Sequence, residues 1–305
     1  MDSLPLIDVC ALRADDAPAH RALARRIGEA CREVGFFAVT GHGVSQALID
    51  AVFAASAALF ALPEGVKSSM AIGRLGHNRG YVGSGVEALD GSAHADRKEA
   101  FNLIWTDGRT RPDNVWPPLV GFQADVQRYF DAVLDLGRRL HVCFALDLGL
   151  APDHFDDKLD CPMATLRLLH YPPAPPDAPA LAPAAGVHTD YGNVTILATD
   201  GVAGLQLRRR DGAWLDVPGP PGAFICNIGD CLMRWTNDVY VSTPHRVRAP
   251  PTRRYSIAVF VDPNPQAWVS AVASCVADGE TPRYPPIQAQ EHLRQRFAAT
   301  YGDRA

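Results

Sequence analysis

Apolar positions recur every three to four residues in three stretches of the first half of the chain, and each stretch predicts a helix buried along one side. Leu23, Ile27, Cys31 and Val34 form the first stripe, from His20 on, and Gly35 ends it. Ser45 stands as N-cap to the second helix, which is expected to run to about Leu62, where Pro63 stops it. The third is the strongest, from about Gln123 to Leu148, with the stripe Val126, Phe130, Val133, Gly137, Leu140 and Phe144 and Gly149 as cap. Phe36 to Thr40 is a short β-prone run closed by Gly41-His42-Gly43. Residues 73–95 are rich in Gly and Ser with little periodicity. They predict a long loop, and that length makes it a candidate for function.

Near Cys161 the period changes. Ala164–Tyr171, Val187–Thr199, Gly204–Arg209, Trp214–Val217, Ala223–Ile228, Cys231–Trp235, Ser242–Val247 and Tyr255–Val261 are β-prone segments separated by Gly, Pro, Asn and Asp. Short strands at this spacing predict an antiparallel sandwich or barrel. Pro172–Pro183 carries six prolines and reads as an extended surface connection. Ile287–Tyr301 predicts a last amphipathic helix. The expected organisation is a helical and mixed region over residues 1–120, packed on a core of residues 121–305 that holds the spine helix and the last helix.

Composition narrows the function. Hydrophobic residues make up 47% and charged residues 21%, with net charge −5 and pI about 6.0, so neither nucleic acid nor an anionic membrane is the expected partner. Cysteines stand at 10, 31, 143, 161, 226, 231 and 275, an odd count without a CxxC pair, which points to reduced thiols rather than disulfides or a thiolate zinc site. The start MDSLPLIDV lacks a basic stretch followed by an apolar one. The most apolar run, Ala51 to Leu62, is too short to span a bilayer. A cytoplasmic protein is expected.

The chemistry starts at Gly186-Val-His-Thr-Asp190. On a strand, His188 and Asp190 would face the same side, an imidazole and a carboxylate able to hold two neighbouring positions on one metal. Ser242-Thr-Pro-His245 supplies a third ligand 55 residues further on. Two histidines and a carboxylate on one face of an octahedron leave three positions open, as in non-haem iron(II) oxygenases. Alone, a His-x-Asp tripeptide says little. The weight comes from Arg254-Tyr255-Ser256, which begins the run Ile257-Ala-Val-Phe-Val261, apolar on both faces. A guanidinium and a hydroxyl on one face of a central strand suit a carboxylate in a dry barrel, whereas most arginines are exposed.

These residues closely resemble the isopenicillin N synthase-like branch of the iron(II)/2-oxoglutarate-dependent dioxygenases. Gly35-Phe-Phe-Ala-Val-Thr-Gly-His-Gly-Val44, Asp96-Arg-Lys-Glu99, Leu169-His-Tyr-Pro-Pro173, Asn227-Ile-Gly-Asp230 and Thr236-Asn237 extend the resemblance over nearly the whole chain. It implies a mainly β fold with helices, a distorted jelly-roll (double-stranded β-helix) core flanked by N-terminal and C-terminal helices. It implies iron(II) on His188, Asp190 and His245, and 2-oxoglutarate as co-substrate with its far carboxylate on Arg254, Ser256 and Tyr171. Plant relatives commonly have asparagine where this chain has Leu169, so that contact with the co-substrate is lacking. Asp190 argues against the halogenase variant, in which a small residue replaces the carboxylate.

The implied reaction oxidises a small molecule with molecular oxygen, by hydroxylation, desaturation or cyclisation, and releases succinate and carbon dioxide. Two alternatives stay open at this point. One is an oxidase of isopenicillin N synthase type that needs no 2-oxoglutarate; the other is a barrel that binds a keto acid without catalysis. Other residues take a blander reading. His42 is structural, Asp96 to Glu99 form a solvated or salt-bridged segment, and Cys226 and Cys231 pack as small hydrophobes. Arg167 holds either an anionic substrate or an ion pair, and Tyr81, Phe101 and Phe260 are candidate pocket walls. The primary substrate itself is not readable.

Overall fold

The computed structural model describes residues 3–13, 16–87, 96–175 and 183–301. Strands β1 (Leu6–Asp8) and β2 (Phe36–Thr40) flank helix α1 (Ala17–Glu33), and α2 (Gln46–Phe60), α3 (Glu64–Ser69) and α4 (Ile72–Leu75) follow. Next come β3 (Gly80–Val82), β4 (Glu99–Ile104) and the spine helix α5 (Phe122–Asp147). The core strands are β5 (Thr165–Tyr171), β6 (Pro183–His188), β7 (Val194–Thr199), β8 (Leu205–Arg208), β9 (Trp214–Asp216) and β10 (Phe224–Ile228). Helix α6 (Asp230–Trp235) separates these from β11 (His245–Arg248) and β12 (Arg254–Val261). A short pair, β13 (Trp268–Val269) with β14 (Ile287–Gln288), leads into α7 (Ala289–Tyr301).

All four expected helices begin and end within a few residues of their expected bounds. The Ser45 hydroxyl accepts from the Leu48 N–H, as an N-cap should, and Gly149 follows α5 with φ 72°. The 73–95 stretch is more ordered than its composition predicts, since α4 reaches into it and β3 pairs with β4; residues 88–95 lie outside the described part. Most of the Pro172–Pro183 connection lies outside it too.

Eight strands form a sheet in the order β1-β2-β10-β7-β12-β5-β4-β3, and four form a second in the order β6-β11-β8-β9. Strand alternation sorts the residues of the large sheet between two environments. Ile257, Val259 and Val261 of β12 turn to the helices, where α5 and α2 bury them in the main core. Arg254, Ser256, Ala258 and Phe260 turn the other way, towards the small sheet. Leu169, Ala184, Ala185, Leu205, Leu207 and Val247 form a second apolar cluster between the sheets. The two facing sheets make the double-stranded β-helix, and the cavity between them is where the candidate residues meet.

One expected strand is a helix. Cys231–Trp235 is the body of α6, because five residues, apolar but for Arg234, are too few to carry a period that separates a buried strand from a helical turn. Gly229 is its N-cap and Asp230 its first residue, and the N–H groups of that turn are taken by the 190–193 loop. Among the described residues no helix is long and apolar enough to cross a membrane, and all seven cysteines are free thiols.

Candidate active site

His188 closes β6, His245 opens β11, and the two are cross-strand partners with ring centres 4.3 Å apart. Asp190 does not lie on the strand with His188, contrary to the alternation argument; β6 ends at His188 and Asp190 sits on the loop to β7. The loop still returns its carboxylate to the same place. Asp190 Oδ1 lies 3.8 Å from His188 Nε2 and 3.7 Å from His245 Nε2, and the three donor atoms fall within 4.8 Å of one another.

The first turn of α6 holds that loop. Asp230 N–H donates to Asp190 O at 2.8 Å, Gly229 N–H to Asn193 O at 2.9 Å and Cys231 N–H to Gly192 O at 3.0 Å. A Cβ at Gly229 would stand 2.3 Å from the Gly192 carbonyl oxygen, so only glycine allows this approach. From the other side, Thr189 donates to Asp230 Oδ2, and Arg296 of α7 pairs with the same carboxylate at 2.8 Å. His292 of α7 reaches the Tyr191 carbonyl at 3.1 Å.

Hydrogen bonds also set the chemical state of the donors. His188 Nδ1–H donates to Gly186 O at 2.8 Å and His245 Nδ1–H to Thr243 O at 3.1 Å, which leaves both Nε2 lone pairs facing Asp190 Oδ1. Burial, and then the neighbouring His245, push His188 well below the ordinary imidazole range and keep it neutral. Asp190 Oδ2 accepts from the Thr195 hydroxyl and, at 2.7 Å, from the Asn227 amide. In these tautomers three lone-pair atoms converge, His188 Nε2, His245 Nε2 and Asp190 Oδ1. A divalent cation resolves that arrangement, and the nitrogen and carboxylate donors suit iron(II).

Arg254 lies deeper between the sheets and is 1% exposed. Its Nε donates to Val202 O at 3.1 Å and Nη1 to the Ser256 hydroxyl at 3.3 Å, while its guanidinium covers the Tyr171 ring at 4.9 Å. Among the described residues no carboxylate pairs with it. A buried guanidinium without an anion is costly, so the donor set fits a ligand carboxylate.

Arg167 and Phe260 line the cavity at the other end of the β5–β12 pair, and Lys98 lines it as well. Arg167 grips Glu87 with both oxygens at 2.6 Å, and Lys98 lies 3.3 Å from Glu87 and bonds Asp96. Burial pushes Glu87 up, but Arg167 and then Lys98 hold it down at about 2. Asp96 and Lys98 are thus ion-paired, yet buried rather than solvated. Tyr81 and Phe101 are not pocket walls. They face the helices, where Tyr81 donates to Glu99 and Phe101 packs on Phe122. His42 is structural, bonded to Gly222 O and stacked on Phe224. Thr195 and Asn227 carried no role in the sequence; the signal was a polar residue on an otherwise apolar strand.

The site is therefore that of a keto-acid oxygenase. The family model described as "non-haem dioxygenase in morphine synthesis N-terminal" matches residues 4–119, and that of the "2OG-Fe(II) oxygenase superfamily" matches residues 162–263. The 2-oxoglutarate-Fe(II) type oxidoreductase hxnY of Emericella nidulans is 34% identical, over 98% of this chain and 90% of that protein. A full-length Neurospora crassa protein, solved in complex with alpha-KG and thymine, superposes with TM-score 0.89 at 31% identity, over 98% and 97% of the two chains. JOX2, solved with 2OG, Fe and JA, superposes with TM-score 0.85 at 31% identity, over 98% and 86%.

The chain belongs to the 2-oxoglutarate- and iron(II)-dependent oxygenase superfamily. It is a dioxygenase that couples oxidation of a small molecule to conversion of 2-oxoglutarate into succinate and carbon dioxide. The 2-oxoglutarate-independent oxidase and the non-catalytic barrel give way to this membership.

Proposed function

We propose that His188, Asp190 and His245 hold the iron(II), and that Arg254, Ser256 and Tyr171 hold the far carboxylate of 2-oxoglutarate. The observation that carries this reading is the pairing of three converging lone-pair donors with a buried Arg254 that has no carboxylate partner among the described residues, in one cavity. Bound there, the metal and keto acid supply the oxidising chemistry. The protein's part is to position and to exclude. Thr195 and Asn227 fix which Asp190 oxygen faces the metal, and Gly186 and Thr243 fix the histidine tautomers. Phe36, Leu197, Leu205, Val247 and Ala258 keep the space between the sheets apolar.

A small organic substrate enters by the Arg167 and Phe260 end, since the Arg254 end is filled by the keto acid. Dioxygen is the second partner, and free thiols together with the acidic balance suit work in the cytoplasm. The test is anaerobic addition of iron(II) and 2-oxoglutarate. A weak visible charge-transfer band is expected, together with succinate formation in air. Retained iron binding without the band in wild-type protein would sink the co-substrate assignment.

A further inference from the structure

Strand β6 is irregular just before the metal ligand. Between the pairs Ala185↔Val247 and His188↔His245 it spends three residues against two on β11, so one extra residue sits at Gly186-Val187. Such a bulge withdraws a residue from ladder pairing and re-aims the side chains beside it. Both backbone groups of Gly186 are nevertheless engaged. Its carbonyl accepts from His188 Nδ1 at 2.8 Å, and its N–H donates to Asp96 Oδ1 at 3.0 Å, a carboxylate 90 residues earlier in the chain.

Asp96 is built in place. It is 5% exposed, its other oxygen bonds Lys98, and its own N–H and carbonyl bond Glu87 O and Gly85 N–H. An anion buried to that degree needs partners for both oxygens, and here one partner is the bulge that carries the tautomer lock of His188.

We infer that Asp96 is a positioning residue for the metal ligand His188, acting through the Gly186 peptide. The inference rests on the assignment of His188 to the metal. Asp96 touches neither metal nor substrate. It fixes the peptide whose carbonyl orients the imidazole, and Lys98 holds Asp96 from the cavity side.

The test is anaerobic titration of the full chain with iron(II), and with cobalt(II) as a spectroscopic probe, for wild type, Asp96→Ala, Asp96→Asn and Glu87→Gln. Asp96→Ala is expected to weaken metal binding roughly 10- to 100-fold, the range for loss of an outer partner of a ligand, and to change the cobalt(II) ligand-field spectrum. Asp96→Asn keeps an oxygen for Gly186 and is expected to fall between Asp96→Ala and wild type. It also decides the matter should the alanine variant not fold. Glu87→Gln disturbs Lys98 but not Gly186, and should bind metal within about threefold of wild type, a margin near the resolution of additivity. Metal affinity and spectrum unchanged in both Asp96 variants would overturn the inference, as would an equal loss in Glu87→Gln. Wild-type protein that fails to bind either metal would instead overturn the site assignment.

Discussion

Arg254 and Tyr171 are register partners across β12 and β5, and the guanidinium of the one lies 4.9 Å from the ring centre of the other. The arrangement shields one face of a buried cation with π electrons while leaving its edge to the cavity. Arg254→Lys keeps the charge and loses the planar fork. The KM for 2-oxoglutarate is expected to rise roughly 10- to 100-fold, the equivalent of one charge-assisted hydrogen bond. Tyr171→Phe keeps the ring contact and should cost only a few-fold, about the 1 kcal/mol of an ordinary hydrogen bond. Steady-state kinetics on any turned-over substrate, or titration of the charge-transfer band, reads both. Iron affinity should stay unchanged, and equal losses of iron and 2-oxoglutarate in Arg254→Lys would contradict the division of labour.

Asn227 donates to the Asp190 oxygen that faces away from the two histidines. Asn227→Ala leaves that oxygen with Thr195 alone and frees the carboxylate to turn. Anaerobic metal titration should show affinity down by roughly 10- to 100-fold, with the 2-oxoglutarate end untouched.

Glu99 gathers Lys67 at 2.8 Å, Tyr81 at 2.6 Å and His170 at 2.7 Å on the helix side of the large sheet. Burial pushes its carboxyl up, but His170, then Lys67 and Tyr81, pull it from 4.5 to about 2. A folded-state value below the unfolded one contributes stability above the unfolded value, and that contribution fades as pH falls towards the folded one. Glu99→Gln should therefore be less stable than wild type at neutral pH, and the gap should close between pH 4.5 and about 2. Urea melts at several pH values measure it; a gap constant with pH would show that the ion cluster contributes nothing.

Gly137 lies on α5 where the spine helix meets β12, and a Cβ there would stand 2.6 Å from Val261 Cγ2. Alanine is the better helix former by about 1 kcal/mol, while overpacking costs about 1–3 kcal/mol. The clash should win, and Gly137→Ala should lower the urea midpoint without changing metal affinity. A stabilised variant would mean that α5 can lift off the sheet at no cost.

Much of this protein is legible residue by residue. The stripes of α1, α2 and α5, the Ser45 cap and most core strands follow from apolar periodicity and turn chemistry, which are local. The His-x-Asp, distant His and Arg-x-Ser pattern pointed to an oxygenase because few other chemistries need those donors together. Tertiary structure decided the rest, and in each case the cause is a contact far along the chain. Asp190 reaches His188 because α6 pins its loop, not because the two share a strand face. Residues 231–235 became helical because Asp230 and Cys231 donate to that loop. Asp96 and Lys98 read in sequence as a solvated or salt-bridged segment; they are salt-bridged but buried, because the fold brings Asp96 beside Gly186 and Lys98 onto Asp96. Local propensity names the donors; long-range packing decides which of them meet, since burying a carboxylate or a guanidinium is tolerable only where distant residues complete its bonds.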